Sequence, residues 1–527
     1  MKKYLYFLAL CLLFSCSGKD TLPKNYLKIA MKAEPCWMDP RKGVSMTASP
    51  IHAMLFEGLV RMSSKGEIET GIAASYTVSK DRCTYTFYLS PEARFSNGDP
   101  ITAPAFVHSF RQILSPAFLS KDAYLLYPIR GAKKAHLHGG SVEEIGVYAK
   151  NAMTLVIELH EPYPPFLEVL TLSSFVAVHQ HTDQHNPNWS NQASEDFITS
   201  GPFLLESWKR GSEIKLKKNP FYYNKQSVLL DGIAVQIIPN EMSYLRLFML
   251  GEVDFIGSPI SPLPVSAYPT MKKNNQIHSV SIGGTKILSF NVAKKPLENR
   301  SFRRALNYAI HRKEMVDKLT YLDEPIATRV IPPAIFTDDS APFFEDHHTE
   351  MAVKEWNQFL KEQGWKSSDV PTLTLTYLGS GLNDLLVQHI KESWKNTLGL
   401  SVQLEKVPLK TVLAKMQSKN YEICLCAYVS ELKNPINIFE RFLSKTNLRN
   451  YPGWESPRYT TAFHRCKSQS APETHFTKLE RVLMEEVPFS PLYHYKYAYA
   501  VSKRVRNIHI SPLGHIFFDQ VWLDHTL

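Results

Sequence analysis

The residue types that could do chemistry come in small groups. His179, His181 and His185, with Asp183 among them, stand within seven positions, and imidazole and carboxylate are ordinary zinc ligands. They lie in a polar stretch with Asn186-Pro187, where nothing fixes a tetrahedral arrangement, so a solvated loop is expected. His347-His348 is read the same way. His160-Glu161 is followed by Pro162 and Pro164, which exclude the helix an H-E-x-x-H zinc site needs. Cys424 and Cys426 lie two apart in an apolar run. They face one side of a strand and are expected as buried thiols. There is no G-x-S-x-G elbow, P-loop or glycine fingerprint for a dinucleotide, and no grouping singles out a nucleophile. The expectation is a protein that is not an enzyme, with no catalytic residue, no metal and no cofactor.

The elements that would position a site follow from periodicity. Asn25–Ala30, Thr84–Leu89, Thr154–Leu159 and Ile233–Ile238 alternate or run apolar as strands. Phe203–Leu216 reads as two strands about Lys209-Arg210-Gly211. Met46–Leu59, a stretch capped by Thr102, Glu241–Gly251 and Ser301–Leu319 read as helices. From 372 to 429 the pattern alternates: strand 372–377, helix 382–398, strand 401–407, helix 409–419, strand 421–429. That rhythm predicts an α/β lobe with a largely parallel sheet.

The 527 residues suffice for two or three domains. An apolar fraction of 44% and a charged fraction of 21% are those of a globular chain. The formal charge of +10 falls to +8 if Lys2 and Lys3 are removed with a leader. The remaining Lys and Arg are dispersed rather than gathered into a stripe with aromatics, so no nucleic-acid partner is expected. Met1-Lys2-Lys3 precedes an apolar run, Tyr4–Phe14, too short to span a bilayer, which takes roughly 20 residues, but suited to a signal-peptide core. Leu13-Phe14-Ser15-Cys16-Ser17-Gly18 resembles a bacterial lipobox. The resemblance implies that Cys16 is acylated and becomes the mature N-terminus, anchored by more than one acyl chain. Phe14 is bulkier than the residue usual there. The expected location is the bacterial cell envelope, lipid-anchored and facing the periplasm or exterior.

A series of motifs then runs along the chain in one order. Met54-Leu55-Phe56-Glu57-Gly58-Leu59-Val60 leads to Gly71–Tyr76, then Phe95-Ser96-Asn97-Gly98-Asp99-Pro100-Ile101-Thr102-Ala103, Ser200-Gly201-Pro202-Phe203 and Lys218-Asn219-Pro220-Phe221-Tyr222-Tyr223. Gly251-Glu252-Val253-Asp254, Arg303–Ile310, Leu398-Gly399-Leu400 and Pro491-Leu492-Tyr493 follow. Over residues 26 to 525 the chain resembles the oligopeptide/dipeptide-binding proteins of ABC importers, solute-binding family 5. The resemblance implies an α/β, three-lobed, type II periplasmic-binding-protein-like fold. Two α/β lobes hinge on crossing strands and an extra lobe is added. The division it implies is 1–15 signal peptide and 16–24 lipidated tether; 25–45, 176–286 and 493–527 lobe I; 46–175 lobe II; and 287–492 lobe III. It implies a monomer that captures short peptides between the lobes and passes them to permease and ATPase subunits.

Family members neutralise the peptide's amino terminus with an Asp in a W-x-x-D-Y-x-(D/E)-P pattern. The matching segment is Ala427-Tyr428-Val429-Ser430-Glu431-Leu432-Lys433-Asn434-Pro435. The resemblance places Glu431 as the anchor, Tyr428 at the aromatic position, and Val429 and Ala427 as backbone for an added strand. The competing reading of Glu431 is a loop residue ion-paired with Lys433. Tyr124 and Tyr127 are candidates to line the cleft from lobe II, against ordinary core packing. The positions that carry carboxylate-binding cations in the family are Met416 and Leu425 here, with Lys415 and Lys419 near but not equivalent. That departure leaves room for a non-standard ligand, a murein-derived peptide, nickel chelate or haem, on the same fold. A surface adhesin is the reading from another class.

Overall fold

The computed structural model describes residues 24–43, 45, 47–337, 341–466 and 474–526. The leader and Cys16 lie outside the described residues. A single ten-stranded sheet organises most of the chain. Its strands are, in chain order, β1 (Tyr26–Met31), β2 (Phe203–Lys209), β3 (Glu213–Lys218), β4 (Gly232–Ile237), β5 (Phe255–Gly257), β6 (His278–Phe290), β7 (Leu373–Leu378), β8 (Val402–Val407), β9 (Ile423–Val429) and β10 (Phe489–Val501). Their order across the sheet is β8-β7-β9-β6-β10-β5-β1-β4-β3-β2.

The two longest strands, β6 and β10, are each 13 residues and lie side by side, antiparallel, at the middle. They carry the chain between two halves, and the expected lobe limits at 286/287 and 492/493 fall inside them. On one flank β7 pairs in parallel with both β8 and β9, as the strand–helix rhythm predicts, with the helices Gly381–Leu398 and Leu409–Ser418 as crossovers. On the other, β1 pairs in parallel with β4 and β5. β1 is buried at five of six positions, including Leu27, Ile29 and Met31, as a parallel strand covered on both faces must be. The register of β6 on β10 shifts twice: at the centre, where Ile282–Gly284 stand opposite the single residue Tyr495, and again between Lys286 and Ile287, where Leu492 is skipped.

A separate four-stranded sheet, Ala73–Val78, Thr84–Leu89, Thr154–Glu158 and Val147–Asn151, forms the extra lobe. Helix Ala103–Leu114 packs on it through Phe106, Phe110 and Ile113, all fully buried. Each such side chain contributes about 1.5–3 kcal/mol. Pro104 sits in the first turn, where its missing N–H has no helical partner to lose.

Three expectations change. The 46–59 helix is only Ala48–Leu55, because Phe56 turns to extended backbone and Val60–Met62 joins a small sheet. The 301–319 helix is cut after Arg300–Tyr308 and resumes at Arg312. The Arg312 guanidinium turns inward there, donating to the carbonyls of Pro491 (2.6 Å) and Asn307 (3.1 Å). The histidine stretch is not a loop but helix Gln180–His185, with His179 as its N-cap. His179 bonds Asp99 (2.9 Å) and Thr182 (2.8 Å). Asp183 accepts from Arg41, His108 and Trp189. No described helix is long and apolar enough to cross a membrane. The five cysteines described are free, and Cys424 and Cys426 are buried in core.

Candidate functional site

A cavity of about 320 Å³ opens between the halves. The helix Ala48–Leu55 and the turn to Val60–Met62 give Ser49, Glu57 and Arg61; the end of β9 gives Val429, Ser430 and Glu431. Tyr497 of the crossing strand β10 and His515 and Asp519 of the C-terminal segment close it. The lining therefore joins residues more than 450 positions apart in sequence.

Glu431 stands two residues beyond Val429, the last residue of β9. Beyond Leu425, β9 has β6 on one side only, since its pairing with β7 ends at Tyr377–Leu425. Ala427 and Val429 thus lie on an edge with no strand neighbour. Val429 is exposed and lines the cavity; Ala427 is half-buried and does not. The Glu431 carboxylate accepts from Arg449 Nη1 at 2.7 Å and from Arg441 Nη2 at 3.1 Å. Its own N–H donates to Asn437 Oδ1 at 3.1 Å. Burial pushes this carboxyl up, but the two guanidinium groups outweigh it and hold it below the ordinary glutamate value. Its partners are therefore these arginines and not Lys433.

Tyr428 is core rather than lining. Its ring stacks on Tyr451 with centroids 5.7 Å apart and meets Phe442 and Phe489 edge-on. Its buried hydroxyl has no hydrogen-bond partner among the described residues. Tyr124 is not in the lining either, but Arg449 lies over its ring, 4.4 Å from the centroid, and its hydroxyl is buried without a partner. Tyr127 stands apart from the cavity, its hydroxyl bonded to His136 Nδ1 at 2.7 Å. Met416 and Leu425 are buried in the cores. Lys415 pairs with Glu405 at 2.5 Å, and Lys419 donates to the Lys445 carbonyl. No cation of this stretch reaches the cavity.

Sequence reasoning missed a second charged group in the same cavity. Glu57 accepts from the hydroxyls of Tyr222 and, at 2.8 Å, Tyr223. Arg61 lies 4.0 Å from Glu57 and donates to Asp519 at 2.7 Å. Burial raises the Glu57 carboxyl above its usual value despite Arg61 and the two tyrosines. Burial also holds His515 neutral, its imidazole lowered to about 4. The available signal was the occurrence of Glu57 and Tyr222-Tyr223 in separate motifs; nothing in their spacing pairs them.

A fold of two halves joined by crossing strands, with a cavity opening between them, defines the class of solute-binding proteins. Residues 67–450 match the family described as bacterial extracellular solute-binding proteins, family 5 middle. The chain belongs to that family. It is 32% identical over 510 residues to the oligopeptide-binding protein OppA of Bacillus subtilis (strain 168), covering 95% of this chain and 93% of that one. It is 26% identical over 488 residues to the periplasmic murein peptide-binding protein MppA of Escherichia coli (strain K12), covering 91% and 89%. The solved structure of the Escherichia coli murein tripeptide binding protein MppA superposes with a TM-score of 0.83 at 24% identity, over 94% of this chain and 98% of that one.

Proposed function

We propose that the protein is the substrate-binding component of an ABC importer, capturing short peptides in the cavity between its halves and delivering them to membrane permease and ATPase subunits. The names of its relatives, an oligopeptide-binding and a murein peptide-binding protein, support the ligand class. The observation that carries the reading is the ionised Glu431 carboxylate on the cavity wall, beside the unpaired edge of β9. A peptide laid beside Val429 meets backbone irrespective of its sequence, although the Val429 carbonyl already accepts from Arg441 and Ala427 lies off the cavity, and its ammonium finds a charged acceptor. A carboxylate offers about four lone-pair sites, and the arginines occupy one on each oxygen. The protein works by binding and hinge closure, not by catalysis. We also read it as a monomer held at the envelope by lipid on Cys16, facing the periplasm or exterior.

Mass spectrometry of ligand that copurifies with the protein tests the class, and short peptides are the expected finding. Calorimetry with free and N-acetylated peptides tests the anchor. Losing one partner of a buried charge pair costs about 2–5 kcal/mol, so acetylation weakens binding by roughly 30-fold or more. Equal binding of both forms overturns Glu431 as the anchor.

A further inference from the structure

The corner around Glu431 holds one negative and two positive groups. Arg441 is spent internally: its side chain is 5% exposed, and it donates to the Val429 carbonyl (3.0 Å), the Asn437 carbonyl (3.2 Å) and Glu431 (3.1 Å). Arg449 is different. Its side chain is 31% exposed, and its guanidinium makes one hydrogen bond among the described residues, to Glu431 Oε1. A guanidinium carries five N–H donors in a planar fork, so most of its capacity is unused. The Tyr124 ring holds it by a cation–π contact, and the buried Tyr124 hydroxyl has no hydrogen-bond partner among the described residues.

The charge balance then bears on the ligand. An ammonium arriving alone adds a further positive charge beside Arg441 and Arg449. Like charges brought into such proximity repel one another. A ligand that brings a carboxylate with its ammonium removes that penalty, and the planar fork of a guanidinium matches a carboxylate. We propose that Arg449 is a specificity-determining residue that receives a carboxylate on the ligand's first or second residue, so that the preferred ligands are short peptides acidic at their amino end. The proposal rests on the reading that Glu431 meets the ligand's amino group.

The test uses the purified protein, calorimetry and four tripeptides: Asp-Ala-Ala with Asn-Ala-Ala, and Ala-Glu-Ala with Ala-Gln-Ala. Wild type is expected to bind the acidic member of at least one pair tenfold or more tighter than its amide. In Arg449→Gln that preference falls to within about twofold, while the amide peptides gain affinity because Glu431 loses a competing partner. The gain separates a binding role from a structural one, since a damaged fold loses affinity for every peptide. Arg449→Lys, which keeps the charge but not the fork, retains part of the preference and serves if the glutamine variant does not fold. Equal binding of acid and amide by wild type overturns the proposal, as does a preference that survives Arg449→Gln. Acid preference together with indifference to N-acetylation overturns the Glu431 anchor instead, and absence of binding by all four peptides overturns both.

Discussion

The charged groups built on two carboxylates of the cavity wall, Glu57 and Glu431, are mirror images in composition. At Glu57, two carboxylates surround one guanidinium; at Glu431, two guanidinium groups surround one carboxylate. The Glu57 side chain is 6% exposed and its oxygens take two tyrosine hydroxyls as well as facing Arg61, so it has little left to offer a ligand. The Glu431 side chain is 26% exposed and stands beside an arginine with unused donors. The two groups share the cavity and differ in unused hydrogen-bonding capacity, which is the ground for proposing Glu431 rather than Glu57 as the ligand's partner. The first group ties together three distant stretches, 57–61, 222–223 and 519, and belongs to the scaffold. In the proposed reading, the second group meets the ligand.

The contrast can be broken in order of effect. Glu57→Ala leaves the Tyr222 and Tyr223 hydroxyls without their acceptor while Arg61 keeps Asp519, and each buried polar group left unsatisfied costs about 1–3 kcal/mol. A large fall in unfolding midpoint is expected, read by thermal or urea unfolding, with ligand affinity changed mainly through the folded fraction. Glu431→Gln does the reverse. It weakens peptide binding by about 2–4 kcal/mol, read by calorimetry, with a smaller loss of stability than Glu57→Ala. Asn437→Ala removes the acceptor shared by the Glu431 N–H, the Ser430 hydroxyl and Arg441. It is expected to cost about 1–3 kcal/mol of stability and to lower affinity by loosening the turn that aims Glu431.

Acid titration of stability separates the two carboxylates by sign. The Glu431 carboxyl is depressed in the folded protein, so its contribution is present above the ordinary glutamate value, about 4.3, and is lost as pH falls through its lowered value. The Glu57 carboxyl is raised, so its contribution is full below about 4.3 and declines as pH rises through the raised value. Unfolding midpoints between pH 3 and 7 are expected to fall less steeply toward acid in Glu431→Gln than in wild type, and more steeply in Glu57→Gln. The smallest effect belongs to Tyr127→Phe: its hydroxyl pairs with His136 away from the cavity, and peptide affinity within about twofold of wild type is expected from calorimetry.

Much of this was legible because strands and crossover helices carry local signals. The 372–429 stretch reads correctly from periodicity alone, and its motif offset puts Glu431 at the end of β9. The helical reading of 46–59 fails where Phe56 and Glu57 leave the helix for the cavity wall, a tertiary demand that no propensity encodes. The arginines are equally hidden. Arg441 and Arg449 reach Glu431 only because the helical turns Ile436–Leu443 and the loop after them fold back over the end of β9. The pairing of Arg61 with Asp519 depends on a C-terminal segment packing against the other end of the chain.

The gap in the ladder between β6 and β10 has a mechanical meaning. A sheet stitched without interruption resists folding along its length, whereas three residues facing one leave a crease. Pro512 and Ser430 are both fastened to Gly283 inside that crease, through Gly283 N–H to the Pro512 carbonyl and Ser430 N–H to the Gly283 carbonyl. A guest that immobilises Ser430 and Glu431 would bear directly on that crease through the Ser430–Gly283 hydrogen bond.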